Sequence, residues 1–193
     1  MDKQDFKVLV VDDDEMVREI IGSILSQHGY SVISAKDGLE AISLLLMFDD
    51  IKLVITDLRM PGADGIEVLE HAVRNNPDIA VVMLTAYSTI ETAYTAINKG
   101  AFDYLTKPFD VEQIVFVAEK AFKREVLVDE NREMRKLIRD TYRDMEIIKS
   151  VKNSGSLDVV NRWIERMNRL KAMNILTESE VKILKEKLVN TDA

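Results

Sequence analysis

Four aspartates, a threonine and a lysine stand where short apolar runs of this sequence end. Asp12, Asp13 and Asp14 follow FKVLVV (6–11), and Asp57 follows LVIT (53–56). Thr85 follows IAVVML (79–84), and Lys107 follows FDYLT (102–106). Carboxylates held close together raise one another's pKa unless a cation neutralises them. Oxygen ligands with coordination positions to spare suit Mg²⁺, which keeps waters and recruits phosphate oxygens. A carboxylate beside such an ion can act as a nucleophile and take a phosphoryl group. A nearby lysine neutralises charge on the transferring group, and a threonine hydroxyl bonds a phosphate oxygen. Together these residue types predict Mg²⁺-assisted phosphoryl transfer to an aspartate.

The elements that must position them alternate regularly. Residues 15–27 show helical spacing, with Val17, Ile20, Ile21, Ile24 and Leu25 on one face, and His28-Gly29 ends that helix. Then come a strand at VISA (32–35), a helix at about 38–48, the strand 53–56 and a helix at about 64–74. The strand 79–84, a helix at about 88–98, the strand 102–106 and a helix after Pro108 complete the series. Five strands alternating with five helices imply a parallel α/β sheet covered on both faces. Ligands of such sheets bind beyond the carboxyl ends of the strands, where strand order switches. If the order is 2-1-3-4-5, strands 1 and 3 are neighbours and their acids meet at that point. Some acids have simpler work: Asp14 and Glu15 read as cap and dipole residues of the first helix, and Asp64 as the cap of the third. His28 and His71 are expected on the surface.

Residues 6–120 resemble the receiver domain of two-component response regulators. VLVVDDDE (8–15), LVITDLRMPGADGIEVL (53–69), VVMLTAY (81–87) and GAFDYLTKPFD (100–110) carry the resemblance. It implies a flavodoxin-like, doubly wound five-stranded sheet of order 2-1-3-4-5. It further implies that Asp57 accepts the phosphoryl group and that Asp13, with Asp12, Asp57 and the main-chain carbonyl of Arg59, holds Mg²⁺. Thr85 takes the place of the switch hydroxyl, Lys107 of the phosphate-binding lysine and Tyr104 of the aromatic switch. The Lys107-Pro108 bond matches one that is cis in the family. Arg59 and Tyr87, two residues past Asp57 and Thr85, are expected to overhang the phosphate and slow its hydrolysis. The implied partner is a sensor histidine kinase or a histidine phosphotransfer protein. Self-phosphorylation and self-dephosphorylation of Asp57 are the only activity expected, so the protein is not read as an enzyme with a separate substrate.

The last receiver helix has no obvious stop. No Pro or Gly interrupts Val111 to Lys152, 42 residues that would extend roughly 60 Å as one helix. A heptad fits residues 121–152, with Leu127, Met134, Thr141 and Ile148 at d and Asn131, Ile138 and Met145 at a. That pattern predicts a coiled-coil homodimer through the helix after residue 110. The linker resembles the one joining receiver to ATPase in sigma-54 activators, yet no GxxxxGK phosphate loop occurs in this sequence. After the polar break KNSGS (152–156), residues 157–190 read as a helical hairpin. Val160, Ile164, Met167 and Leu170 line its first helix, which Asn174 ends. A Thr177/Glu180 capping box opens the second, with Val181, Leu184 and Leu188 on its apolar face. Residues 164–189 resemble the SHOCT module, which is associated with oligomerisation.

Composition excludes several classes. Without cysteine there is no disulfide framework or thiolate site, and two histidines make a zinc centre untenable. No run approaches the roughly 18 apolar residues of a membrane helix, and the charged start lacks a signal-peptide core, so a cytoplasmic protein without membrane insertion is expected. The net charge of −8 conceals an acidic first part, with 10 Lys and Arg against 21 Asp and Glu in residues 1–120. Residues 121–193 hold 16 against 13, including the stripe Arg162, Arg166, Arg169 and Lys171. Interspersed acids make DNA binding by the hairpin the second choice behind protein docking or self-association. A third reading takes VLVVDDDEM as the opening of a haloacid-dehalogenase-type phosphatase with Asp12 as nucleophile, which leaves Asp57 and Lys107 without a role.

Overall fold

The computed structural model describes residues 1–86, 89–150, 157–173 and 175–189, without the side chains of 144–150, 157–160 and 186–189. Tyr87, Asn174 and the break at 152–156 lie outside the described residues, as do the side chains of Met145, Ile148, Val160 and Leu188. The chain divides into two compact units, Met1–Val128 and Asp129–Ala193.

In the first unit five parallel strands, β1 (Lys7–Val11), β2 (Ser31–Ala35), β3 (Ile51–Asp57), β4 (Ala80–Thr85) and β5 (Asp103–Thr106), pair in the order β2-β1-β3-β4-β5. Helices α1 (Glu15–Gln27), α2 (Gly38–Met47), α3 (Gly65–Asn75), α4 (Ile90–Asn98) and the start of α5 (Val111–Ser150) alternate with them. A single 3-10 turn, Lys3–Asp5, precedes β1 and is absent from the sequence reading. Because side chains alternate along a strand, Val8 and Val10 enter one core with Leu53, Ile55, Val82 and Leu84, beneath α1 and α5. Leu9 and Val11 enter the other with Val54, Val81 and Met83, beneath α2, α3 and α4. All six β4 residues are buried, as the centre of a doubly covered parallel sheet requires.

Caps set the helix starts. The Asp14 carboxylate accepts from Met16 N–H at 2.9 Å to open α1, and Asp64 with Glu67 forms a capping box on α3. Two placements depart from the sequence reading. Ile20, assigned to the buried face of α1, is 45% exposed. Of the two histidines expected on the surface, His28 is exposed but His71 is half-buried on α3.

In the second unit the end of α5, α6 (Leu157–Ala172) and α7 (Glu178–Val189) share a small core of Trp163, Met167, Leu170 and Val181. The expected capping box is present: Thr177 N–H donates to Glu180 Oε2 at 2.8 Å, and Glu180 N–H to Thr177 Oγ1 at 3.3 Å. Leu137 and Ile138 of α5 pack on this core and Thr141 is buried. Two positions of the proposed heptad seam, Ile138 and Thr141, are therefore occupied within this chain, whereas Leu127 is 59% exposed.

Candidate functional site

The register of the central strands brings the acids together. Val11 of β1 pairs with Thr56 of β3, so Asp12 and Asp57, the next residues, are neighbours at the carboxyl edge. One carboxylate oxygen from each of Asp12, Asp13 and Asp57 lies within 4.8 Å of the others. Their exposures differ. The Asp12 side chain is 1% exposed and the Asp57 side chain 13%, while Asp13 is open to solvent.

Hydrogen bonds fix the orientation of each group. Lys107 Nζ donates to Asp12 Oδ2 at 2.5 Å and to Asp57 Oδ2 at 3.0 Å, bridging the two carboxylates. Asp57 Oδ1 accepts from Leu58 N–H at 2.6 Å and from Arg59 N–H at 3.4 Å, while Asp12 Oδ1 accepts from Asp14 N–H at 3.0 Å. Burial pushes the Asp12 carboxyl above the ordinary aspartate range, against the pull of Lys107. Burial acts to lower Lys107, but its bonds to Asp12 and Asp57 outweigh this and hold the ammonium above its ordinary value. Lys107 is thus a fixed positive charge between two acids.

Lys107 owes its place to the end of β4, where its own N–H donates to Thr85 O at 2.9 Å. The Lys107-Pro108 peptide is cis. Thr85 is fully buried as the last residue of β4, and Tyr104 is half-buried on β5 beside Met83. Arg59 is exposed just beyond Asp57, and Tyr87 lies outside the described residues.

Three contributors escaped the sequence reading. A Cβ on Gly65 would stand 2.1 Å from Asp57 O, and one on Gly38 2.2 Å from Ala63 O, so both glycines permit close backbone approach around the Asp57 loop. Arg18 donates from its guanidinium to Asp12 O at 2.8 Å, tying α1 to the acidic loop. Gly65 stands in the motif quoted above and Gly38 outside it, and only the neighbour that each meets reveals its purpose.

The phosphatase reading makes Asp12 the nucleophile, and of the two carboxylates bridged by Lys107 that one is the more deeply buried, 1% exposed against 13% for Asp57.

Comparison with known proteins agrees. The regulatory protein AtoC of Escherichia coli (strain K12) is 33% identical over 130 residues, 66% of this chain and 28% of its own length. The DNA-binding transcriptional regulator NtrC of the same organism is 35% identical over 114 residues, 59% of this chain and 24% of its own. The chain thus spans about a quarter of the length of these curated relatives. The solution structure of the beryllofluoride-activated NtrC4 receiver domain dimer superposes with a TM-score of 0.58 at 34% identity, covering 61% of this chain and 96% of that one. The response regulator receiver domain family matches residues 8–119, ending before the helical hairpin. With more than half of its residues in that match, and the sheet order and acidic cluster in place, the chain belongs to the response regulator receiver domain family.

Proposed function

We propose that the protein is a two-component response regulator that takes a phosphoryl group onto Asp57 from a phosphohistidine of a sensor kinase or phosphotransfer protein. The observation that carries this reading is the Asp57 carboxylate, accessible at the rim and bridged through Lys107 to Asp12. An oxygen of Asp57 attacks phosphorus, the P–N bond to the imidazole breaks, and the leaving nitrogen takes up a proton. Asp12, Asp13, Asp57 and the carbonyl of Arg59 are the residues that would hold Mg²⁺; an all-oxygen set this acidic fits that ion. When bound, Mg²⁺ neutralises charge on the transferring group. Lys107 pairs with the new phosphoryl oxygens, and Thr85 is drawn toward them with the end of β4. Tyr104 then shifts, altering the face formed by α4, β5 and α5. Arg59 and Tyr87 restrict water and lengthen the life of the acyl phosphate, whose hydrolysis needs no further substrate.

The C-terminal helices deliver the output as self-association or docking of a protein partner. DNA binding is the second reading, favoured by the relatives named as DNA-binding regulators. Against it, Lys136, Arg166 and Arg169 share a cavity of about 390 Å³ with Glu133, Asp140 and Glu165. A basic stripe so neutralised is a poor match for a phosphate backbone. The test is labelling by acetyl phosphate with Mg²⁺. Wild type is expected to label and Asp57→Asn to remain blank; label on Asp57→Asn, or turnover of phosphate esters by it, would overturn the reading. Solution mass with and without beryllofluoride then tests whether the switch controls dimerisation.

A further inference from the structure

Tyr104 is tied to α4 by its hydroxyl. Its oxygen lies 3.0 Å from Thr92 Oγ1. Thr92 is the third residue of α4 and half of its capping box, in which Thr89 N–H donates to Thr92 Oγ1 at 3.1 Å and Thr92 N–H to Thr89 Oγ1 at 3.1 Å. Thr92 Oγ1 also lies 3.0 Å from Thr89 O and 3.1 Å from Thr89 Oγ1. A hydroxyl has one proton and two lone pairs. Thr92 Oγ1 accepts from Thr89 N–H and is shared between Thr89 and Tyr104, and either hydroxyl can donate in its contact with the tyrosine. The ring can leave its present place only by giving up a bond to the first turn of α4.

We propose that Thr92 is a positioning residue for the switch: it anchors the Tyr104 hydroxyl to the α4 cap and so holds the receiver in its unphosphorylated arrangement. This rests on the reading of Asp57 as phospho-acceptor and Tyr104 as its switch. For a ligand that selects a minor conformation, the apparent Kd is the intrinsic Kd divided by the fraction of molecules in that conformation. Loss of the anchor enlarges the competent fraction by what one hydrogen bond is worth, roughly two- to tenfold. The sequence alone does not show this, because Thr92 reads there as an ordinary helix residue 12 positions before Tyr104.

The experiment measures the apparent Kd of beryllofluoride with Mg²⁺ on the full chain. Tyr104→Phe removes the anchor and leaves the Thr89/Thr92 box intact; Thr92→Val removes the anchor and the Thr92 side-chain half of the box; Thr92→Ser keeps a hydroxyl. Tyr104→Phe and Thr92→Val are each expected to tighten binding roughly two- to tenfold, with Thr92→Ser like wild type. The double variant Tyr104→Phe/Thr92→Val should bind no tighter than Thr92→Val alone, because Tyr104→Phe deletes a bond already absent there. Additive effects, unchanged binding in Tyr104→Phe, or Thr92→Ser behaving like Thr92→Val would overturn the anchor while leaving Asp57-dependent binding in place. Equal binding by Asp57→Asn would overturn the site reading, and the anchor with it.

Discussion

One substitution made at two glycines should change stability in opposite directions. At Gly65 an added Cβ would lie 2.1 Å from Asp57 O and 2.9 Å from Met83 Cε. Real contacts of this kind do not fall below about 3 Å, so the backbone carbonyl of Asp57 must give way by roughly 1 Å. Overpacking of this sort costs about 1–3 kcal/mol. The displacement also strains the bond from Gly65 N–H to Leu58 O, now 3.0 Å, which is worth about 1 kcal/mol. Gly65→Ala is therefore expected to destabilise by about 2–4 kcal/mol. At Gly22, inside α1, an added Cβ meets only Val32 Cγ1 at 3.9 Å, an ordinary contact. There alanine gains helix propensity, and Gly22→Ala should stabilise by about 0.5–1 kcal/mol. Urea unfolding followed by circular dichroism compares both with wild type. Because the shift at Gly65 moves the reacting carboxylate, phosphate labelling of the folded variant should fall by about a hundredfold, whereas Gly22→Ala should label normally. Destabilisation of both variants, or a loss below about 1 kcal/mol at Gly65, would refute the close-approach reasoning.

Three further outcomes follow from the same geometry. Lys107→Met leaves the sealed Asp12 carboxylate without its cation and should cost about 3–5 kcal/mol in urea unfolding without added divalent cation. Burial raises the Asp12 pKa, so the folded state binds protons more readily than the unfolded one and stability falls as pH rises above the ordinary value of 3.8. The loss in Lys107→Met should therefore be larger at pH 8 than at pH 5, and equal losses would contradict the assignment. Trp163→Ala empties the centre of a core with four fully packed members and should cost about 3–5 kcal/mol, enough to melt so small a unit. Loss of helicity and cleavage by trypsin at the arginines of α6 are the expected signs; an unchanged digest would count against that core. Thr177 donates to Glu180 from its backbone N–H and its hydroxyl, holding that carboxyl below its ordinary value of 4.5. The support it gives α7 is present above that value and is lost as pH falls through the folded pKa. Glu180→Gln should remove this part of the acid melting seen by circular dichroism between pH 6 and 3.

Much of this protein was legible before any coordinates, and for local reasons. Helix α1 spans Glu15–Gln27 as expected because its start and stop, Asp14 and His28-Gly29, lie within one turn of its ends. The strands follow from apolar runs, differing from the expected limits by a residue or two at their ends, and the acids at those ends lie at the carboxyl edge once the parallel order is known. Helix caps and strand periodicity depend on residues within about four positions of one another, so a linear text contains them. Approach and burial between distant segments do not work that way. Asp12 and Asp13 are adjacent and chemically alike, yet one is sealed and the other open, because only Asp12 continues the β1 register toward Asp57 and Lys107. Gly65 has no assigned part in the sequence, and its necessity comes from the Asp57 carbonyl that meets it. Ile20 fits the apolar stripe of α1 and is still left in solvent, because the face that a helix buries is set by the sheet beneath it. An apolar heptad states only that a stripe will be covered; it does not say whether the cover is a second chain or the same one. For Ile138 and Thr141 the hairpin of their own chain supplies it, which three-dimensional proximity alone decides.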